Sequence, residues 1–111
     1  MDKTIRRSRA EGSVTAPSSK SYAQRAVAAA LLCEGTSTLT NMILCDDTRA
    51  ALQVAADLGA EVEAGTDGTT YTVRGGLRPH AQAIHIGESG LAARLFTPIA
   101  ALCGERITIT G

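Results

Sequence analysis

The run Ala26 to Cys33 holds eight residues with no polar break, inside a segment that starts and stops like a helix. Pro17 ends an extended stretch and Ser18 or Ser19 is suited to cap. Gly35 stands beyond the far end, so the residues predict a helix from Lys20 to Cys33. Such a run leaves no solvent face over half the helix, which is therefore expected to be buried nearly all round. That is demanding for a chain of 111 residues, which makes at most one domain with a modest core. Other elements must wrap this helix. The run itself is far too short to span a bilayer.

Thr4-Ile5-Arg6 and Gly12 to Ala16 read as short strands before the helix, and Thr36 to Met42 as one after it. Asp46 or Asp47 is placed to cap a second helix, where Ala51, Val54, Ala55 and Leu58 keep the helical period and Gly59 ends it. Glu61-Val62-Glu63 and Tyr71-Thr72-Val73 are strands joined by the turn-rich "AGTDGTT". Ile84-His85-Ile86 leads through "GESG" into a third helix with Leu91, Leu95, Ile99 and Leu102 on one side. Pro98 predicts a kink or an early break there. Gly104 closes that helix, and Arg106 to Thr110 alternates like a strand. The order is βαβαββ followed by a further strand, helix and strand, a mixed α/β (α+β) pattern. Gly111 follows the last strand directly and leaves it unpaired on this reading. Residues 1–111 therefore read as the N-terminal portion of a longer chain.

Lys+Arg and Asp+Glu number 11 each, so the net charge is zero. Broad attraction to nucleic acid or an anionic membrane is not expected, and any anion site must be local. Two Tyr, one Phe and no Trp offer no stacking platform for bases. Cys33, Cys45 and Cys103 are widely spaced without a CxxC pair. They read as reduced packing residues of a cytoplasmic protein, not as zinc ligands or nucleophiles. The charged first residues lack the apolar core of a signal peptide. His80 and His85 share no metal-ligand spacing with other residues, so no metal is expected.

"SSKSYAQR" (Ser18 to Arg25) places Lys20 and Ser21 in the first turn of the first helix, with Arg25 one turn beyond Ser21 on the same face. A helix start offers free N–H groups and partial positive charge, and added cations there are mutually unfavourable without an anion. A serine cap followed by solvated basic side chains would leave the same sequence. A P-loop is excluded, because its two glycines would fall at Ser19 and Val14. "IHIGESGLAAR" (Ile84 to Arg94) repeats the logic, with Gly87 and Gly90 letting a ligand approach the backbone. A plain strand-to-helix turn would also read this way, and the Glu88 carboxylate would repel an anion unless it points elsewhere. In "CDDTRA" both Asp residues are explained by a cap and an acidic first turn, with Arg49 able to pair with either.

The ordered succession Pro17, Lys20, Ser21, Arg25, Gly35-Thr36, Asn41, Asp46-Asp47-Thr48 and Leu58-Gly59-Ala60 resembles the opening of the 5-enolpyruvylshikimate-3-phosphate synthase family. "IGESGLAARLF" resembles that family's Gly-Asn-Ala/Ser-Gly-Thr turn, with Arg94 as the helical arginine. The resemblance covers nearly the whole chain. It implies an inside-out α/β fold of βαβαββ units with helices buried against sheets, in a two-domain protein of which residues 1–111 are part of one domain. It implies transfer of the enolpyruvyl group of phosphoenolpyruvate to the 5-hydroxyl of shikimate 3-phosphate, with release of phosphate and no cofactor or metal. Lys20 would contact both substrates and act in catalysis. Ser21 and Arg25 would bind shikimate 3-phosphate, and Gly90 would offer its N–H to phosphoenolpyruvate. Nucleic acid and membrane are not implied partners. The remainder of the parent chain would complete the active site, so the isolated piece is expected to be inactive. Ser18 stands where the family usually has Gly, and Glu88 and Leu91 replace a common Asn and Thr, changes that bear on phosphoenolpyruvate affinity. UDP-N-acetylglucosamine enolpyruvyl transferase is the alternative within the fold, but its Lys-Asn-Ala differs from Lys20-Ser21-Tyr22. RNA 3′-terminal phosphate cyclase would want a more basic surface. A self-associating module without catalysis is the alternative outside the enzymes.

Overall fold

The extended backbone of Ser19 opens α1 (Lys20–Leu32), and its hydroxyl accepts the Tyr22 N–H at 3.3 Å. The computed structural model describes residues 1–111. After α1 come β1 (Thr36–Leu39), α2 (Asp46–Asp57), β2 (Glu61–Ala64), β3 (Tyr71–Arg74), β4 (Ala83–His85), α3 (Gly90–Ala101) and β5 (Thr108–Thr110). β3 lies between β1 and β2 in an antiparallel sheet, with Ser37 opposite Val73 and Val62 opposite Val73. β4 and β5 pair in parallel, Ile84 opposite Ile109, joined by the α3 crossover.

The helices supply most of the core. Val27 and Leu31 of α1, Val54 of α2 with Leu58 just beyond it, and Phe96 of α3 are all 0 % exposed. From the strands only Tyr71, Val73 and Ile84 join them. Buried Ala23 and Ala28 on α1, Ala51 and Ala55 on α2 and Ala92 on α3 let the helices approach closely. No helix is long and apolar enough to cross a membrane.

Several expectations change. Residues 1–17 form no strand and make no backbone hydrogen bond, and Ile5 and Val14 are exposed. Alternation alone cannot hold a strand when no ladder partner lies beside it. α1 is enclosed on one flank only. Ala23, Gln24, Val27, Ala28, Ala30 and Leu31 are buried, but Tyr22, Ala29 and Leu32 are exposed, because α2, α3 and the sheet reach only one side. β5 is paired, not orphaned, since the α3 crossover returns it to β4. Cys45 is the N-cap of α2, with Asp46 and Asp47 in its first turn. Cys33 is exposed just past α1, while Cys45 and Cys103 are half-buried, and all three are free thiols.

α3 runs through Pro98 without a break. Pro98 is exposed, so the Arg94 carbonyl that loses its N–H partner can be solvated. The face that α3 buries is Ala92, Phe96, Ile99 and Ala100, and Leu102 is exposed. Two apolar stripes at helical spacing compete on this helix, and the one carrying the large Phe96 ring faces the core.

Gly59 ends α2 with φ +123°, and a Cβ there would collide with the backbone of Gly76 and Arg78. The same contact lets the Arg78 N–H reach the Leu58 carbonyl at 3.0 Å. Gly59→Ala is expected to destabilise the fold by about 3 kcal/mol, read as a lower urea midpoint at unchanged slope.

The β2–β3 turn is held by Asp67. Its carboxylate accepts the Thr70 hydroxyl at 2.6 Å and the N–H groups of Thr70 and Thr69 at 2.8 and 2.9 Å. These donors, the Thr70 hydroxyl foremost, hold its pKa down to about 2. The depressed folded value means that the stabilisation is full above the unfolded pKa of about 4 and fades as pH falls through the folded one. The melting-temperature gap between the wild type and Asp67→Asn should therefore be open near neutral pH and mostly closed at about pH 2. A gap of constant size across that range would count against this role of the carboxylate.

Candidate anion-binding site

Lys20 and Ser21 are the first two residues of α1, and their N–H groups find no acceptor within the chain. Tyr22 gives its N–H to the Ser19 cap. Ser18 is left free for another task, and its hydroxyl accepts the Ile43 N–H at 3.0 Å, tying the start of α1 to the approach to α2. Arg25 is exposed, Ser21 half-buried, and neither Arg25 nor Arg94 has an acidic partner. The α1 start thus holds two unpaired N–H groups, with the exposed Arg25 one turn beyond Ser21 on the same helix.

Lys20 is different. Its ammonium lies 2.8 Å from the Asp47 carboxylate in the first turn of α2. The hydrogen bond and the charge of Asp47 raise the Lys20 pKa above its usual value. Lys20 therefore carries full charge at neutral pH, and the contribution of the pair to stability fades only as pH rises through that raised value. The sequence placed Asp47 in a helix start and offered Arg49 as its partner. The contact to Lys20, 27 positions away, follows from how α1 and α2 pack and not from local spacing.

Behind this pair, buried Thr48 closes the α2 start. Its hydroxyl accepts the Cys45 N–H at 2.9 Å and faces the carbonyls of Cys45 and Ile43 at 3.0 and 3.1 Å. The same hydroxyl, 3.6 Å from Cys45 Sγ, pulls that thiol's pKa down, whereas burial pushes Cys103 up.

The second helix start is built by Ser89. Its hydroxyl accepts the Ala92 N–H at 3.1 Å, which leaves the N–H groups of Gly90 and Leu91 without an acceptor in the chain. A Cβ at Gly90 would meet nothing within 4 Å, so the backbone there is open to a ligand. Glu88 is exposed and forms no ion pair. Gly87 makes the turn at φ +62°, and its N–H donates to His85 Nδ1 at 3.0 Å.

One link joins the two starts. The Ser89 hydroxyl donates to Gln24 Oε1 at 2.9 Å, and Gln24 and Ser89 are only 1 % and 5 % exposed. Neither residue stood out in the sequence, where 65 positions separate them. The widest concavity, about 390 Å³ between α1 and Thr38–Met42, contains none of Lys20, Arg25 or Gly90. No charged side chain lines it, so the cationic helix starts and not this groove are suited to an anion.

A family model described as EPSP synthase (3-phosphoshikimate 1-carboxyvinyltransferase) matches residues 5–111. The 3-phosphoshikimate 1-carboxyvinyltransferase of Methanothermobacter thermautotrophicus is 37% identical over 112 residues, covering 100% of this chain and 27% of that protein. Its counterpart from Chlamydia caviae is 41% identical over 101 residues, covering 90% of this chain and 23% of that protein. A solved EPSP synthase from Acinetobacter baumannii superposes with a TM-score of 0.67 at 32% identity, over 78% of this chain and 20% of that one. The chain spans about a quarter of the length of the curated relatives it matches.

Proposed function

This chain belongs to the EPSP synthase family, and from that premise we propose that it supplies part of one domain of an enolpyruvyl transferase. The reaction moves the enolpyruvyl group of phosphoenolpyruvate onto the 5-hydroxyl of shikimate 3-phosphate and releases phosphate, in the cytoplasm. Both substrates are multiply anionic. The observation that carries the reading is the pair of helix starts with free N–H groups, one on the helix that carries Lys20 and Arg25, held together through Gln24 and Ser89.

In this reading Lys20 contacts both substrates. Its charge is fixed by Asp47 until the anions arrive and then offsets negative charge as it shifts between them. Ser21 and Arg25 bind shikimate 3-phosphate, the guanidinium taking the phosphate in a bidentate contact. Gly90, open at the α3 start, gives its N–H to phosphoenolpyruvate. The remaining residues of the parent chain close the site, so residues 1–111 alone bind weakly and do not turn over. The named relatives favour this substrate pair over UDP-N-acetylglucosamine.

The test uses the full-length protein that carries this chain. Phosphate release should require phosphoenolpyruvate and shikimate 3-phosphate together. Shikimate 3-phosphate at a hundred times its Kd should stabilise the fold by about 2.7 kcal/mol. Release that ignores shikimate 3-phosphate but follows UDP-N-acetylglucosamine would reassign the acceptor.

A further inference from the structure

We propose that Gln24 and Ser89 are positioning residues that hold the two substrate subsites at a fixed separation. The inference rests on the functional reading above. Gln24 sits on α1 one turn beyond Lys20, and Ser89 directly precedes Gly90 at the start of α3. Their contact is the only hydrogen bond between two buried side chains in the chain, 2.9 Å long.

Its energetics point away from a purely structural task. A buried amide must be hydrogen-bonded to be tolerated, and an apolar residue of similar shape at such a place is commonly neutral or stabilising. Along α1 Gln24 is flanked by buried Ala23, Val27 and Ala28, and its partner Ser89 precedes buried Ala92 and Phe96 of α3, all in one apolar core into which a leucine could be packed. What leucine cannot do is fix one helix start against another. A buried hydrogen bond of this kind is directional, and in a low-dielectric interior it selects one relative placement of the elements that it joins.

Ser89 makes the link specific. One hydroxyl accepts the Ala92 N–H and donates its single proton to Gln24 Oε1. The cap that frees the Gly90 and Leu91 N–H groups is thereby oriented by a residue of α1. Sliding α3 along α1 would break the hydrogen bond before it broke apolar contact. In the bound enzyme the enolpyruvyl carbon and the accepting hydroxyl must meet. A misplacement of about 1 Å there costs roughly a hundredfold in rate.

The experiment is two-substrate steady-state kinetics on the full-length transferase carrying this chain. Gln24→Leu keeps the α3 cap and the core volume but removes the link. Its kcat should fall about tenfold to a hundredfold, with KM for either substrate within about threefold and little change in melting temperature. Ser89→Ala should show the same kcat loss with a lower melting temperature, and Ser89→Thr, which keeps the hydroxyl, should restore kcat. The double variant Gln24→Leu/Ser89→Ala should be no slower than the worse single one, because both remove the same link. An unchanged kcat in Gln24→Leu, or rate losses that multiply in the double variant, would overturn the proposal. If Gln24→Leu does not fold, equal kcat in Ser89→Ala and Ser89→Thr overturns it as well. A wild-type protein that does not join these two substrates overturns the functional reading and this inference together, and normal wild-type turnover with normal Gln24→Leu turnover overturns only the inference.

Discussion

On the proposed reading, Lys20→Ala in the full-length protein is expected to lower kcat/KM by about a thousandfold or more, the scale of removing a preorganised charge from a site where charge develops. Two effects add. The ammonium proposed to face both anions would be lost, and the Asp47 carboxylate that it neutralises would be left unpaired at the proposed site. Asp47 is only 21% exposed at its side chain, so water screens its repulsion poorly. Unfolding does not explain the loss. The Lys20 side chain is 58% exposed, and pairs of that kind contribute little to stability. The melting temperature of Lys20→Ala should stay within a few degrees of the wild type. Lys20→Ala with normal turnover sinks the assignment of Lys20. Asp47→Asn separates the two effects, because it removes the repulsion and leaves the lysine.

Phe96→Ala carries the largest expected loss of stability, about 3–5 kcal/mol. Phe96 is the largest fully buried side chain, and it comes from the middle of α3, where α3 meets the other two helices. Truncation removes its burial and leaves a cavity in a close-packed core that relaxes into it only in part. At about 4–8 °C per kcal/mol for a unit of this size, the melting temperature should fall by roughly 15 °C or more. Phe96→Leu, which fills most of the volume, should lose less than half as much. A calorimetric scan of the three proteins checks this, and equal transitions for wild type and Phe96→Ala would contradict a helix-centred core.

The three helices and the β1–β3 sheet were legible because local signals set them: Ser19 before α1, the α2 period of Ala51, Val54 and Ala55, and the Gly-rich turn before Tyr71. What failed to show locally depends on partners. Thr4 to Arg6 and Gly12 to Ala16 alternate like strands, but pairing is a property of two segments, and the second is not beside them. The apolar run of α1 reads as all-round burial, yet whether Leu32 and Ala29 are covered depends on what packs there. Lys20, Ser21, Arg25 and Gly90 stood out because cations and glycines at helix starts are unusual. Asp47 and Gln24 did not, since one read as a helix-start acid and nothing in its local pattern singled out the other. Only packing shows that they touch Lys20 and Ser89.

Ser18 occupies a position where glycine is the commoner choice in the resembled pattern, and the Ile43 N–H at 3.0 Å says what the exchange brings. A glycine leaves the loop many conformations that an incoming anion must freeze, at an entropic cost of about 1–2 kcal/mol per residue. The hydroxyl freezes part of them beforehand, during folding. On the proposed reading, ligand capture at Lys20 would begin from a loop that is already narrowed, and the same tether would limit how far that loop opens to let a product leave.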